Sequence, residues 1–157
     1  MKIFLWNVLL ALIWASVTER FTIGNFIIGF WLGYLVLSIT QRAFGPSSYF
    51  VKVLQVIRFI LFFLWEMILA NLRVAHDVLT PQHYMRPGVI AIPLDAKTDE
   101  EINLLANLIS LTPGTLSLDV SADRKVLYIH AMYIDDIEKL KKEIKDGFEV
   151  RLLEVIR

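Results

Sequence analysis

The feature that most constrains this chain is an apolar stretch at residues 51–73. Its central part, residues 53–72, is interrupted only by the polar side chains of Gln55, Arg58, Glu66 and Asn71. A helix of about 20 apolar residues, rising ~1.5 Å per residue, is long enough to cross the hydrocarbon core of a bilayer. The stretch therefore predicts a membrane-spanning helix.

Two shorter apolar segments precede it, at residues 3–17 and 23–39. The first has no small-x-small cleavage site and is soon followed by another apolar segment, which favours a retained helix over a signal peptide. The short polar connection between the two predicts an antiparallel hairpin. In the second segment, Gly29 and Gly33 have the small-xxx-small spacing that lets helices approach closely in lipid, although glycine is also simply common in membrane helices.

Composition indicates a membrane anchor followed by a water-soluble part. Hydrophobic residues make up 56% of the chain. Residues 1–72 carry five Lys or Arg and two acidic residues, whereas residues 73–157 carry eleven and fourteen. Neither part has the positive excess of a nucleic-acid-binding protein. The chain has no cysteine, which excludes disulfides and Cys-ligated metals, and we predict neither a metal nor a cofactor.

The C-terminal part predicts a small α+β domain. Its segments alternate strand-like and helix-like patterns, and a Thr98–Glu101 capping box marks the start of a helix that runs to about Leu111. Residues 116–121 and 125–132 alternate apolar and polar side chains around a short turn, which predicts a β-hairpin. Phe148, Val150 and Leu152 alternate in a predicted last strand, after a helix that Gly147 ends. The order β-α-β-β-α-β is the ferredoxin-like topology. We therefore predict a membrane anchor of three hydrophobic segments at residues 1–73, a linker at 74–87 and a ferredoxin-like domain at 88–157.

Two ionisable side chains, Arg58 and Glu66, lie in the longest apolar segment. On a helix they would be ~12 Å apart along the axis, too far to pair with each other. Arg58 is nearer the helix end, so we expect it to extend to the lipid headgroups. Glu66 either hydrogen-bonds a neighbouring subunit, which we favour, or belongs to an ion or proton path.

No pattern of catalytic residues stands out, and we predict that the chain is not an enzyme. It contains no phosphate-binding glycine loop, nucleophile elbow or HExxH motif. Ser110, Asp119 and His130 are residue types of a catalytic triad, but no sequence motif relates them to one another. His130 lies in a predicted strand, where we interpret it as a hydrogen-bonded structural histidine.

One string carries a specific resemblance to a known family. Residues 107–120, NLISLTPGTLSLDV, and the LYIHA run at 127–131 resemble the E subunit of the Mrp-type multisubunit monovalent cation/proton antiporters of bacteria. The similarity extends to residues 63–66 and 71–74, to the glycine-bearing segment and to the total length. Positions that match the family pattern are Thr112, Pro113, Gly114, Thr115, His130 and the membrane acid Glu66.

The resemblance implies a small, non-catalytic subunit that assembles or stabilises a complex exchanging Na⁺ for H⁺ across a bacterial plasma membrane. Its partners would be the large, complex-I-like antiporter subunits, small membrane subunits and the lipid bilayer. The protein would be multi-pass with its C-terminal domain in the cytoplasm. Two alternatives remain at this point: a membrane-anchored domain that senses a small ligand, and a transporter in its own right.

Charge does not orient a chain with three spans. If the C-terminal domain is cytoplasmic, three basic residues lie on the cytoplasmic side of the membrane and three on the external side. Equal numbers give no preferred orientation by the positive-inside rule. The inner set is Arg20, Arg73 and Arg86, and the outer set is Lys2, Arg42 and Lys52. The predicted cytoplasmic side therefore depends on the resemblance alone.

Overall fold

A computed structural model describes residues 2–44, 49–80 and 85–157. The chain divides into two compact units, Met1–Leu54 and Gln55–Arg157. Residues 81–84, which belong to the predicted linker, lie outside the described residues.

The N-terminal unit contains a helical hairpin of α1 (Lys2–Val17) and α2 (Ile23–Phe44), followed by the first turns of α3 (Tyr49–Leu79). Gly29 lies against Ala11 and Trp14, and Gly33 lies against Asn7 and Leu10. The later glycine of α2 therefore contacts the earlier residues of α1, which shows that the two helices are antiparallel. A Cβ at Gly29 would be 3.0 Å from the Cβ of Trp14, and one at Gly33 would collide with the Asn7 amide oxygen.

A buried amide sits inside this hairpin unit. Asn7 is fully buried, and its Nδ2 donates a hydrogen bond to the Tyr49 hydroxyl at 2.6 Å. At the connection, Asn25 accepts a hydrogen bond from the Trp14 indole and donates to the Thr18 hydroxyl. These bonds satisfy polar groups that hydrocarbon would not, whereas the buried Asn7 Oδ1 has no hydrogen-bond partner among the described residues. By length and composition, Ile23–Thr40 and Tyr49–Leu79 are able to cross a membrane, whereas Ile3–Val17 is a shorter apolar helix.

Helix α3 is longer than predicted. It continues to Leu79, six residues beyond the predicted end at residue 73, so the predicted start of a linker at residue 74 is wrong. The extension has a simple cause, because no proline or glycine occurs between Arg73 and Leu79 and the first helix breaker is Pro81. Most of α3 therefore belongs to the C-terminal unit, which begins at Gln55.

The C-terminal unit contains a three-stranded antiparallel sheet in the order β1-β3-β2. The hairpin predicted between the second and third strands is confirmed, with Leu116 opposite His130 and a bulge between Ser117 and Asp119. After β3 the chain is helical to its end. The elements are β1 (Gly88–Pro93), α4 (Asp99–Leu111), β2 (Thr115–Val120), β3 (Val126–Ala131), α5 (Ile137–Lys142), a π-helical segment (Glu143–Glu149) and α6 (Val150–Ile156).

The predicted last strand is wrong, and with it the complete βαββαβ order. Phe148, Val150 and Leu152 occupy alternate positions, but Ile144, Phe148 and Leu152 also recur every four residues, and these three are buried on one helical face. Gly147 does not end the helix. A Cβ there would lie 3.1 Å from the Phe62 ring, so the glycine allows a close approach of α3. The spacing of the apolar residues and the presence of Gly147 are compatible with both a strand and a helix, so they do not decide between them.

The core of the unit lies between the sheet and its helices and extends to α3. Its fully buried side chains include Ile92, Leu105, Leu127, Ile129 and Leu152. Phe59, Phe62 and Phe63 of α3 pack against this core, and the Phe62 ring meets Phe148 edge to face at 5.4 Å between centroids. Full burial of such a side chain stabilises a fold by roughly 1.5–3 kcal/mol, and each of these partly buried rings contributes less than that. Helix α3 is therefore an integral element of the C-terminal unit.

The predicted capping box at the start of α4 is confirmed. The Thr98 hydroxyl accepts from the Glu101 amide at 3.2 Å, and Glu101 accepts from the Thr98 amide at 3.3 Å. Arg157, near the end of the chain, donates to the same carboxylate at 3.0 Å. The hydrogen bond from Arg157 and then that from the Lys97 amide lower the pKa of Glu101 from 4.5 to about 2.

We predict that Gly33→Ala weakens the helical hairpin, because its methyl group would meet the Asn7 side chain. Overpacking of this kind lowers the free energy of unfolding by about 1–3 kcal/mol. Thermal unfolding of the full chain in mild detergent measures the effect. Gly24→Ala is the matched control, since a Cβ there has no atom within 4 Å. Equal melting temperatures for the two variants would contradict the role of Gly33 in close packing.

We also predict that Glu101→Gln destabilises the chain in a pH-dependent way. The Glu101 carboxyl has a lowered pKa when folded, so its contribution is complete above about pH 4.5 and disappears as the pH falls towards 2. Melting temperatures of the wild type and the variant should differ at neutral pH and converge in acid. Glu100→Gln, at an exposed neighbour, is the control. A difference that does not change with pH would show that the charge of Glu101 is unimportant.

Candidate functional site

The C-terminal unit contains a cleft of about 460 Å³ that we call the Glu66 cleft. It lies between α3, the turn after α4 and the C-terminal helices. Its apolar wall includes Phe62 and Phe148. The polar residues that line it are Glu66, Arg73, Thr112, Thr115, Tyr133, Glu143, Asp146 and Arg151, with Pro113 and Gly114 between the two threonines.

The turn at residues 112–115 ends α4 and forms one wall of the cleft. The Thr112 hydroxyl donates to the Leu108 carbonyl at 3.1 Å, and the Thr115 hydroxyl donates to the Ile109 carbonyl at 2.6 Å. Carbonyls in the last turn of a helix lack a partner within the helix, so these hydroxyls satisfy them. Pro113 directly follows the C-cap residue Thr112, where the helix cannot continue.

Gly114 is required by the geometry of this turn. Its φ angle is +90°, in the left-handed region that favours glycine. A Cβ at this position would also lie 3.2 Å from the Tyr133 ring. The Gly114 carbonyl accepts from the Met132 amide at 2.8 Å, which joins the turn to the chain after β3. The residues LTPGT therefore end α4 and form a turn that packs against Tyr133.

Tyr133 connects the turn to α3. The Arg73 guanidinium lies over the Tyr133 ring, 5.6 Å from its centroid. The neighbouring Asp77 carboxylate, followed by burial, raises the pKa of Tyr133 above 10.0. The Tyr133 hydroxyl and Asp77 Oδ2 are buried, and neither makes a hydrogen bond of ordinary geometry within the part of the chain that the structure describes. The raised pKa means that the phenol keeps its proton beside the carboxylate.

Glu66 is half-buried on the side of α3 that faces the domain. Arg151 lines the same cleft, with its guanidinium 4.1 Å from the centre of the Phe62 ring. Among the described residues, neither Glu66 nor Asp146 forms an ion pair within 4.0 Å. The cleft therefore presents both charge signs over an apolar wall.

The structure brings only some of the predicted site residues together. Glu66 and the turn at 112–115 line one cleft, whereas Arg58 is exposed on α3 and His130 lies on β3 opposite Val89 and Leu116. The hydrogen bond expected for His130 does not form to any described residue. Gly29 and Gly33 belong to the hairpin of the N-terminal unit.

Four residues of interest were missed from the sequence. The sequence indicates Arg73 only as the end of an apolar stretch, places Arg151 in the predicted last strand and gives no role to Tyr133. A cation near an aromatic ring in space leaves no signal in sequence spacing. Asn7 was detectable, since an amide within the apolar run at residues 3–17 calls for a hydrogen-bond partner.

Comparisons with known proteins agree over almost the whole chain. The family profile described as "Na+/H+ ion antiporter subunit" matches residues 7–155. The E subunit of the Na⁺/H⁺ antiporter from Alkalihalophilus pseudofirmus is 41% identical over 151 residues, which cover 96% of each chain. The corresponding E subunit from Bacillus subtilis has the same identity and coverage.

Two solved structures are similar as well. A chain of the membrane-bound sulfane sulfur reductase, an archaeal respiratory membrane complex, has a TM-score of 0.59 and 29% identity, covering 99% of this chain and 100% of its own. A chain of the Mrp complex from Dietzia sp. has a TM-score of 0.50 and 29% identity, covering 65% of this chain and 96% of its own. With a family profile that spans residues 7–155 and relatives at 41% identity, the chain belongs to the family of Na⁺/H⁺ antiporter E subunits.

Proposed function

We propose that this chain is a non-catalytic subunit that assembles or stabilises a multisubunit Na⁺/H⁺ antiporter in a bacterial plasma membrane. Ion exchange belongs to other subunits of the complex. The observation that carries the proposal is the use of the Thr112–Thr115 turn. Its hydroxyls bond the end of α4, and its glycine packs on Tyr133, so the most specific string of the sequence serves the fold.

Glu66 supports the same proposal through its surroundings. It shares the cleft with Arg73 and Arg151, which can act as its counter-charges, and with the carboxylates of Glu143 and Asp146. It also lies on the face of α3 that the domain covers. A carboxylate in this position suits a contact with protein better than an ion path.

We infer that the Glu66 cleft receives a segment of another antiporter subunit. Charges of both signs around an apolar wall are typical of a subunit contact, with a hydrophobic centre and a polar rim. Arg73 and Arg151 would pair with carboxylates of that segment, and Glu66 with a donor. The domain that carries the cleft would lie on the cytoplasmic side.

A second function has one observation in its favour. The cleft volume of about 460 Å³ falls within the range of roughly 300–1,000 Å³ that is common for small-ligand pockets. A membrane-anchored sensor would bind a soluble ligand there as an isolated chain. Thermal-shift screening of the purified full chain, alone and within its complex, separates the two functions.

Pull-down of the tagged chain from its native membrane in gentle detergent tests the main proposal. Mass spectrometry should find large antiporter subunits in the purified material. A monomer that recurs in several mild detergents would overturn the assembly role and favour the sensor.

We predict that Glu66→Gln leaves assembly intact and reduces Na⁺/H⁺ exchange less than threefold, because the amide keeps the shape and much of the hydrogen bonding. Exchange is measured in membrane vesicles and normalised to assembled complex. Glu100→Gln, outside the cleft, is the matched control. Abolished exchange in a fully assembled complex would instead give Glu66 a part in ion movement.

We predict that Pro113→Ala lowers the yield of complex more than the activity per complex. Losing the proline frees the unfolded chain at this turn and costs about 0.4–1 kcal/mol of stability. Gly114→Ala should be more severe, since it adds strain at φ +90° and crowds Tyr133. Pro93→Ala, at an exposed strand end, is the control. Normal yield with lost exchange would point to a direct role of the turn in transport.

A further inference from the structure

Helix α3 has two very different faces within the C-terminal unit. On one face, Phe59, Phe62 and Phe63 pack against the domain core, and Arg73 and Asp77 lie beside Tyr133. From Phe59 to Asp77 the helix is ~27 Å long, close to the thickness of a bilayer core. Over almost that whole length, one side of α3 is covered by the domain.

The opposite face is apolar and uncovered. Leu61 is 62% exposed, Ile68 50% and Leu72 61%, and Leu64 and Trp65 belong to the same surface. At 3.6 residues per turn, the ionisable residues of α3 after Gln55 all fall within an arc of about 100° that borders this apolar face and includes Phe62 of the domain side. Those residues are Arg58, Glu66, Arg73, His76 and Asp77.

A spanning helix needs lipid or other membrane helices on every side. The domain against α3 carries many charged surface residues, among them Lys139, Asp146 and Arg151, which hydrocarbon excludes. One broad apolar face beside a polar face is the pattern found in helices that lie in the plane of the membrane interface. The packing on the domain therefore conflicts with the predicted third span.

We propose that α3 from residue 55 onward lies on the cytoplasmic leaflet, with its Leu61–Ile68–Leu72 face in the phospholipid interface and the domain on its water side. The occupant of the exposed face is the bilayer itself. Continuity supports this choice, because α3 begins only four residues after α2, a helix long and apolar enough to cross the membrane. The inference goes beyond the proposed function and does not depend on it.

The distribution of basic residues supports the same topology independently. If only α1 and α2 cross, the chain before α1 and the chain after α2 lie on one side. Four basic residues close to the crossings then share the side of the domain, and only Arg20 is on the other. These four are Lys2, Arg42, Lys52 and Arg58. Four against one is the bias expected of a cytoplasmic side, whereas three spans give none.

Single-cysteine labelling tests the topology, because the chain has no cysteine of its own. Lys2→Cys, Phe21→Cys and Asp123→Cys would each be made in the full chain within its complex. Intact cells are treated with a membrane-impermeant maleimide before and after permeabilisation. We expect Phe21→Cys to react at once and the other two only after permeabilisation. Reaction of Lys2→Cys in intact cells with Asp123→Cys protected would establish a third span, and external Asp123→Cys would overturn the cytoplasmic side.

Spin labels test what covers the exposed face. Leu61→Cys, Ile68→Cys and Ala75→Cys are seven residues apart on that face, about 10 Å per step along the helix. Depth measured by oxygen accessibility in the reconstituted complex should be equal and shallow at all three, about 5–10 Å below the headgroups. Asp123→Cys is the water-exposed reference.

Two results would overturn the proposal. A depth that changes by about 10 Å from label to label means a spanning helix. Three immobilised labels that oxygen does not reach mean that a partner subunit, and not lipid, covers α3. Neither readout involves transport or the Glu66 cleft, and both can be made on the full chain alone in membranes, so a failure of the proposed assembly role would leave both measurements interpretable.

Discussion

The packing of three phenylalanines of α3 on the core of the C-terminal unit is the interaction on which the rest of that unit depends. Phe59, Phe62 and Phe63 complete a core that a three-stranded sheet and short helices would otherwise leave open. The close approach of Phe62 explains Gly147, and the contact with Phe148 gives the end of the chain a helical face to bury. The same packing of α3 positions Glu66 and Arg73 at the Glu66 cleft.

This constraint changes the interpretation of the longest apolar segment. The apolar residues of α3 form two faces. One face packs against the core of the C-terminal unit, and the other is exposed and available to lipid. The ionisable residues separate accordingly, with Glu66, Arg73 and Asp77 on the protein side. Length does not distinguish a helix that crosses a membrane from one that lies on it, and mean hydropathy does not show how the apolar residues are divided between the faces of a helix.

Local rules predicted local structure well. The Thr98–Glu101 capping box, the hairpin of β2 and β3 and the start and end of α4 depend on residues within a few positions of one another. The predictions that failed are those where one pattern fits two structures. Phe148, Val150 and Leu152 suit a strand by alternation, while Ile144, Phe148 and Leu152 suit a helix, and only the partner surface decides. The Glu66 cleft could be predicted in part, since its turn and its acid were singled out without any means of bringing them together.

The sequence by itself determined the family, the presence of apolar helices and the turn chemistry at residues 112–115, because each is encoded in residue type and short spacing. The tertiary structure decided which face of α3 is buried, that the chain ends in a helix, and that Arg73, Tyr133 and Arg151 share a cleft with Glu66. Those outcomes depend on contacts between residues that are far apart along the chain. Such contacts are selected by shape and burial in the folded unit, and no local pattern specifies them.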